Sequence, residues 1–336
     1  MAQAISRDNA AALIPEEVTR EIFQGVVANS GVLTYSRRLP DMNRGQLRLP
    51  VLDVLPTAAF VNGEQPAESS TQALKSTTKV EWRNTFVNAE EVAVIIPIHE
   101  NVLDDADYDI WSEITPLLVQ EFGRVIDGAV LFGTGAPAAW PTAIVTGAIA
   151  AGNSVASGTG ADLYEDILSA DGLFSLVETD GYFVNGSLAA PGFRGQLRGL
   201  REGVTGQPLF MRATDNGQNL QGATRYELDG TPVFFLNNGA FDTTAADMIS
   251  GDWSQLVYSM RKDMSIKILD QAVITDTSGA IVYNLAQHDM VALRAVMRLG
   301  WALPNPTNRL NTTRGGVIEG SDTTGRYPFS VLTPAS

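Results

Sequence analysis

An α+β fold of two subdomains with extended projections is predicted from three features of this sequence. From Met290 to Leu303 the odd positions Val291, Leu293, Ala295, Met297, Leu299, Trp301 and Leu303 are all apolar, while Arg294 and Arg298 share the other face. That is the period-two pattern of a strand, and Pro304 and Pro306 stop it. Upstream, Ile110, Ile114, Leu117, Leu118, Phe122, Val125 and Ile126 recur at helical spacing, which predicts a helix over 107–132. Beyond Ala161 short helical and strand patterns alternate, as in a compact mixed subdomain. With 336 residues, 44% of them hydrophobic, the chain exceeds the size at which one core usually stops growing.

The elements follow in order. From Ile14, Pro15 at a first helical position, Glu16 and Glu17 at the positive end of the dipole, and Val18, Ile22 and Val26 predict a short helix ending at Gly31. Arg37 and Arg38 form a basic patch, and LRLPVLDVLP, broken by Pro50 and Pro56, reads as an extended arm. Residues 57–98 read as a long hairpin: TAAFVNGE and KVEWRNTFVNAEEVAVIIPI flank the polar centre GEQPAESSTQ. An isolated hairpin is marginal in water, so this projection needs another surface to lie on. Acids at Asp104, Asp105, Asp107 and Asp109 crowd the start of the long helix, where the macrodipole favours them, and Pro116 kinks it or delays its start. The span between Asp127 and Asp162 has no charged residue but is interrupted by glycines and prolines, so it predicts a connector with short strands and no membrane crossing. A helix LYEDILSADGLFSLV, a strand GYFVN, a helix around GFRGQLRGL and a strand TPVFFL complete the mixed region.

Composition narrows function. Thirty-eight acidic residues against 23 basic give a net charge of −15, without the clustered Lys and Arg that a general affinity for nucleic acid requires. No cysteine is present, which excludes disulfides, thiolate metal sites and cysteine nucleophiles. The acidic run DDADYD departs from a calcium loop at Ile110 and Pro116. His99 and His288 are not in HExxH spacing, no GxSxG elbow occurs, and the glycine-rich GTGAPAAW and GNSVASGTG lack the GK[ST] of a phosphate loop. For an enzyme of unrecognised class, Glu90, Glu91 and Glu100 are candidate acid and base groups, but carboxylates near a strand end are ordinarily solvated. No catalytic, cofactor or metal site is expected.

Six landmarks, in order along the chain, resemble the major capsid proteins of tailed bacteriophages with the Hong Kong 97-type fold. They are the helix opening LIPEEV with its extended LPVLDVLP; the run Phe60, Val61, Asn62, Gly63 and Glu64; and the helix end Ile126, Asp127, Ala129, Leu131, Gly133 and Gly135. Next come Asn185 with Leu197, Arg198, Leu200, Gly230, Pro232 and Val233; then Gly251, Asp252 and Trp253; and finally the strand from 290 to 303. Arg201 and Glu202 stand where the family has Lys-Asp. The resemblance implies an N-terminal arm (1–55), an extended hairpin loop (56–98), a peripheral domain with a long spine helix (99–136) and a sheet (251–310), an axial domain (137–250) and a C-terminal tail (311–336).

It further implies a subunit, in the virion, that assembles in the host cytoplasm into hexamers and pentamers of an icosahedral head. That head encloses double-stranded DNA without sequence-specific binding. Expected partners are copies of itself, a separate scaffolding protein and a portal, with a decoration protein as an optional addition and no membrane. Inter-subunit contact candidates are Arg37, Arg38, Phe60, Glu64, Lys75, Lys79, Arg294 and Arg298. Arg294 and Arg298, four strand residues and roughly 13 Å apart, suit a subunit contact better than a pocket. Some relatives join a loop Lys to a neighbour's Asn covalently. That site cannot be matched here, so Lys75 and Lys79 are expected to be solvated, and Asn305, Asn308 and Asn311 uncoupled. An encapsulin-like compartment is the alternative within the same fold, distinguished by a neighbouring cargo gene.

Overall fold

The computed structural model describes residues 30–58, 77–101, 110–199, 211–213, 225–310 and 325–335. Helix α1 (Gly31–Tyr35) and strand β1 (Arg37–Arg38) lead into β2 (Gln46–Val54), β3 (Glu81–Asn88) and β4 (Glu90–His99). Helix α2 (Ile110–Phe132) follows, then α3 (Ile144–Ala151), β5 (Ser154–Ala156), α4 (Leu163–Leu168), α5 (Leu173–Thr179), β6 (Gly186–Ala189) and α6 (Phe193–Gly199). Strands β7 (Met211–Ala213), β8 (Arg225–Leu228), β9 (Thr231–Phe235), β10 (Met248–Gly251), β11 (Val257–Leu269), β12 (Val273–Thr275), β13 (Ile281–Asn284), β14 (Met290–Ala302) and β15 (Phe329–Thr333) complete it.

Two sheets organise these elements. One has four strands in the order β1-β11-β14-β4, and the other has seven in the order β5-β15-β10-β6-β9-β8-β7. The odd face of β14 packs Leu293, Ala295, Met297, Leu299 and Trp301 into a core shared with Phe122, Ile126 and Val130 of α2. The same core takes in Leu188, Ile249, Phe329 and Val331 from the seven-stranded sheet, so buried apolar contact is continuous between the two. At 23 residues, α2 is about 34 Å long and passes through Pro116.

Several expectations need correction. The helix expected from Ile14 lies outside the described residues as far as residue 29, and Gly31 opens a helix where a stop was expected, with Ser30 as its N-cap. The hairpin is shifted: β2 pairs antiparallel with β3 from Gln46↔Asn88 to Val54↔Glu81, so much of the predicted arm is one of its strands. Pro50 is tolerated because this two-stranded ribbon has only edges. The second half of the predicted return strand, β4, instead joins β14 in the four-stranded sheet, where Val92, Val94 and Ile96 pack on the core.

Further along, the charge-free connector contains a helix, α3, whose Gly147 lies against Tyr327 so closely that a Cβ would fall 2.4 Å from the hydroxyl. The predicted helix over 163–177 is broken by Ser169–Gly172 into α4 and α5, and the strand expected at GYFVN lies just beyond it, at β6. The expected tail holds β15, an interior strand parallel to β5 and antiparallel to β10.

Candidate assembly surfaces

Asp127 is a fully buried carboxylate in the last third of α2. Its carboxylate accepts from Ser30 Oγ at 2.5 Å, from the backbone N–H groups of Gly31 at 3.0 Å and Val32 at 3.1 Å, and from Asn238 Nδ2 at 2.7 Å. A carboxylate at a helix N-terminus satisfies orphan donors and meets the positive end of the dipole, so one side chain caps α1 and ties it to α2 and the 238 loop. Burial pushes the Asp127 pKa up, and the four hydrogen bonds oppose that shift.

The β2–β3 ribbon is anchored at two points. At its base Asn88 crosses the four-stranded sheet over Gly300, where a Cβ would lie 2.3 Å from the Asn88 carbonyl oxygen; only glycine permits that approach. Farther along, the Arg83 guanidinium donates to the carbonyls of Pro304 at 2.6 Å and Asn305 at 2.9 Å and lies 3.5 Å from Asp53. Thr307 N–H donates to the Leu52 carbonyl at 3.1 Å. This fixes the inner face, with Val51 and Val87 buried. The outer face presents Trp82, 67% exposed, and Phe86, 44% exposed, opposite Leu52 and Arg48, with exposed Pro50 between them.

Arg294 and Arg298 stand on the face of β14 away from the main core. Each lies opposite a lysine of β11: Lys267 faces Arg294 and Lys262 faces Arg298. On β4 their neighbours are Ile95 and Glu91. Glu91 is 3.8 Å from Arg298, whose Nε has no hydrogen-bond partner among the described residues. Strand pairing thus gathers four cations that the sequence shows only as two separate pairs. Arg37 and Arg38 are not part of this group: they sit on β1 beside Val257 and Tyr258, and Arg38 pairs with Asp41 at 2.8 Å.

Lys79 is solvated and bonds Glu81 at 2.6 Å. Phe60, Glu64 and Lys75 lie outside the described residues. Asn305 is buried and donates to the Arg326 carbonyl at 2.6 Å, while Asn308 donates to the Asp180 carbonyl at 2.8 Å. Both amides are committed within the subunit; Asn311 is outside the described residues. Glu90 and Glu91 start β4 and Glu100 follows its end, about 30 Å away, so these carboxylates do not converge on one substrate. His99 lies opposite Met290, and His288 Nδ1 is 2.8 Å from the Asn284 carbonyl. Among the described residues no group of His, Cys, Asp or Glu is placed to hold a metal ion, and no helix is long and apolar enough to cross a membrane.

A long helix under a four-stranded sheet, a projecting ribbon and a seven-stranded mixed sheet also recur in known proteins. The model of the phage capsid family matches residues 10–308. A chain from Microbacterium phage Oxtober96 is 38% identical, covers 91% of each chain and superposes with a TM-score of 0.72; one from Mycobacterium phage Bobi is 31% identical, covers 92% of this chain and 91% of its own, at 0.71. The major capsid protein of Staphylococcus phage 80alpha is 25% identical over 286 residues, 84% of this chain and 79% of its own. This chain belongs to the phage capsid family and has its Hong Kong 97-type α+β fold.

Proposed function

We propose that copies of this subunit assemble into hexamers and pentamers that close an icosahedral head around double-stranded phage DNA. The observation that carries this is the outer face of the β2–β3 ribbon, where exposed Trp82, Phe86 and Pro50 and half-buried Leu52 form an apolar strip. Buried aromatic anchors dominate protein interfaces, and an exposed strip of this kind marks one. Contacts from a ribbon on one copy to a different surface on the next are heterologous, and the subunit geometry closes them into rings.

In this reading α2 and the four-stranded sheet form the peripheral domain, the seven-stranded sheet forms the axial domain with β15 in it, and the ribbon is the extended loop. Arg37, Arg38, Phe60, Glu64, Lys75, Lys79, Arg294 and Arg298 belong to contacts between copies. Assembly takes place in the host cytoplasm with a separate scaffolding protein and a portal, and a decoration protein can join the finished shell. The role is structural, without turnover of a substrate. Electron microscopy and light scattering on the chain expressed alone, and with scaffold candidates, test this. Closed shells or rings of five and six are expected; a stable monomer under both conditions overturns it.

A further inference from the structure

We infer that the segment 304–308 is a coupling strap, through which seating of the C-terminal strand β15 fixes the direction of the subunit's own β2–β3 ribbon and so makes the subunit competent to assemble. The inference rests on the shell reading above, in which the ribbon makes contacts between copies, and concerns how that ribbon is held inside one subunit. One side of the strap holds the ribbon. Thr307 donates through its N–H to the Leu52 carbonyl at 3.1 Å and through its Oγ1 to the Asp53 carbonyl at 2.7 Å, which pins β2. On β3, Arg83 donates to the carbonyls of Pro304 and Asn305. Arg83 is five strand residues, roughly 17 Å, from the ribbon's base at Asn88. A ribbon held only at its base swings about that point, so the second anchor is what sets its direction.

The other side of the strap holds the segment that leads into β15. Arg326 is 1% exposed; its Nη2 donates to the Asn305 carbonyl at 3.1 Å and its Nε to the Asn305 side-chain oxygen at 3.3 Å, while Asn305 Nδ2 donates back to the Arg326 carbonyl at 2.6 Å. The Tyr182 hydroxyl donates to the same Asn305 side-chain oxygen. Next to it, Asn308 Nδ2 donates to the Asp180 carbonyl at 2.8 Å, and the Asp180 carboxylate accepts from the Tyr327 N–H at 2.9 Å. The Asn305 carbonyl therefore accepts from Arg83 of the ribbon and Arg326 of the C-terminal segment at once. The strap between them is stiff: Asn305 sits in the left-handed region at φ 44°, which Asn tolerates better than most residues, and Pro304 and Pro306 have φ fixed by their rings. Displacing Arg326 removes partners of a buried amide and shifts the peptide that Arg83 holds. Because Arg326 leads directly into β15, the ribbon takes its final direction only when that strand is in place.

Hydrogen exchange on the unassembled full chain reads the ribbon, light scattering reads assembly, and thermal melting checks folding. N305G keeps the left-handed backbone and the carbonyl that Arg83 uses, but removes the side chain that holds Arg326. It is expected to speed exchange of the amides in 46–54 and 81–88 at least about tenfold well below the melting temperature, and to raise the protein concentration for half-assembly. R83M is expected to do the same, and R83M/N305G to loosen the ribbon no further than R83M alone, since both changes cut one path. R326K keeps the buried charge but not the planar fork; it is expected to loosen the same amides, and it decides the matter where N305G does not fold. Ribbon exchange at the parental rate in N305G and R326K, additive loosening in the double variant, or assembly of the loosened variants at parental concentrations overturns this inference while leaving the shell reading intact. Failure of the parental chain to assemble under any condition overturns both.

Discussion

Single residues in this subunit do the work of joining elements far apart in sequence. Asp127 is the clearest case: replacing it with Asn keeps the shape but turns an amide toward donors that need an acceptor. D127N is expected to cost about 1–3 kcal/mol, measured by chemical denaturation. The sign of its pH dependence follows from burial. Because the folded pKa is raised, the group's stabilisation is fully present below its unfolded value near pH 4 and is lost as pH rises through the folded value. The stability gap between parental chain and D127N is therefore expected to narrow from acid toward neutral pH; a gap that widens contradicts this. At Gly300 the constraint is steric. G300A forces the Asn88 backbone away from the sheet, with an expected cost of about 1–3 kcal/mol and loosened protection of the ribbon amides in hydrogen exchange. Neither role was legible in the sequence. Asp127 could be recognised as a landmark, but its partners at Ser30 and Asn238 are separated from it by about a hundred residues, and no local pattern encodes such a pairing.

At the scale of elements, periodicity located what is regular and missed what depends on partners. Strand β14 was readable because seven apolar odd positions end at two prolines, and the C-terminal end of α2 because its apolar stripe stops at glycines. The ribbon register was not, since β2 and β3 are half-exposed strands whose pairing is set by the crossing at Gly300 and by the Arg83 anchor, both tertiary. Strand β15 was hidden for a similar reason: FSVLT is short, and Phe329, Val331 and Leu332 are buried only because β5 and β10 flank them. The exposed ribbon face separates stability from assembly. W82A/F86A is expected to change subunit stability by less than about 0.5 kcal/mol, as at other exposed positions, yet to impair particle formation in sedimentation. F329A, in the interior strand, is expected to do the reverse and cost about 3–5 kcal/mol of folding stability, read from its melting curve.

The whole molecule couples two sheets through one core and leaves its polar logic at the edges. In its composition, the lack of cysteine excludes thiol chemistry, and the overall acidity argues against a general grip on nucleic acid. The gathering of four cations on one sheet face was not visible there, because Lys262 and Lys267 lie some thirty residues from Arg294 and Arg298 and meet them only through β11–β14 pairing. Raising ionic strength is expected to weaken association between subunits more than it weakens each fold, checked by comparing light scattering with melting temperature in the same salt series.

The position of β15 also sets a timetable. Thr333 reaches Val155 across 178 residues, and Ser330 reaches Leu173 across 157, so the seven-stranded sheet closes only after most of the polypeptide has been brought together. Such long loops are entropically slow to close, and the β5–β15 step is a natural bottleneck in the folding pathway. Until it is passed, the edges of β5 and β10 are open to pairing with other chains, which makes the rate of that closure a determinant of how much newly made subunit is lost to aggregation.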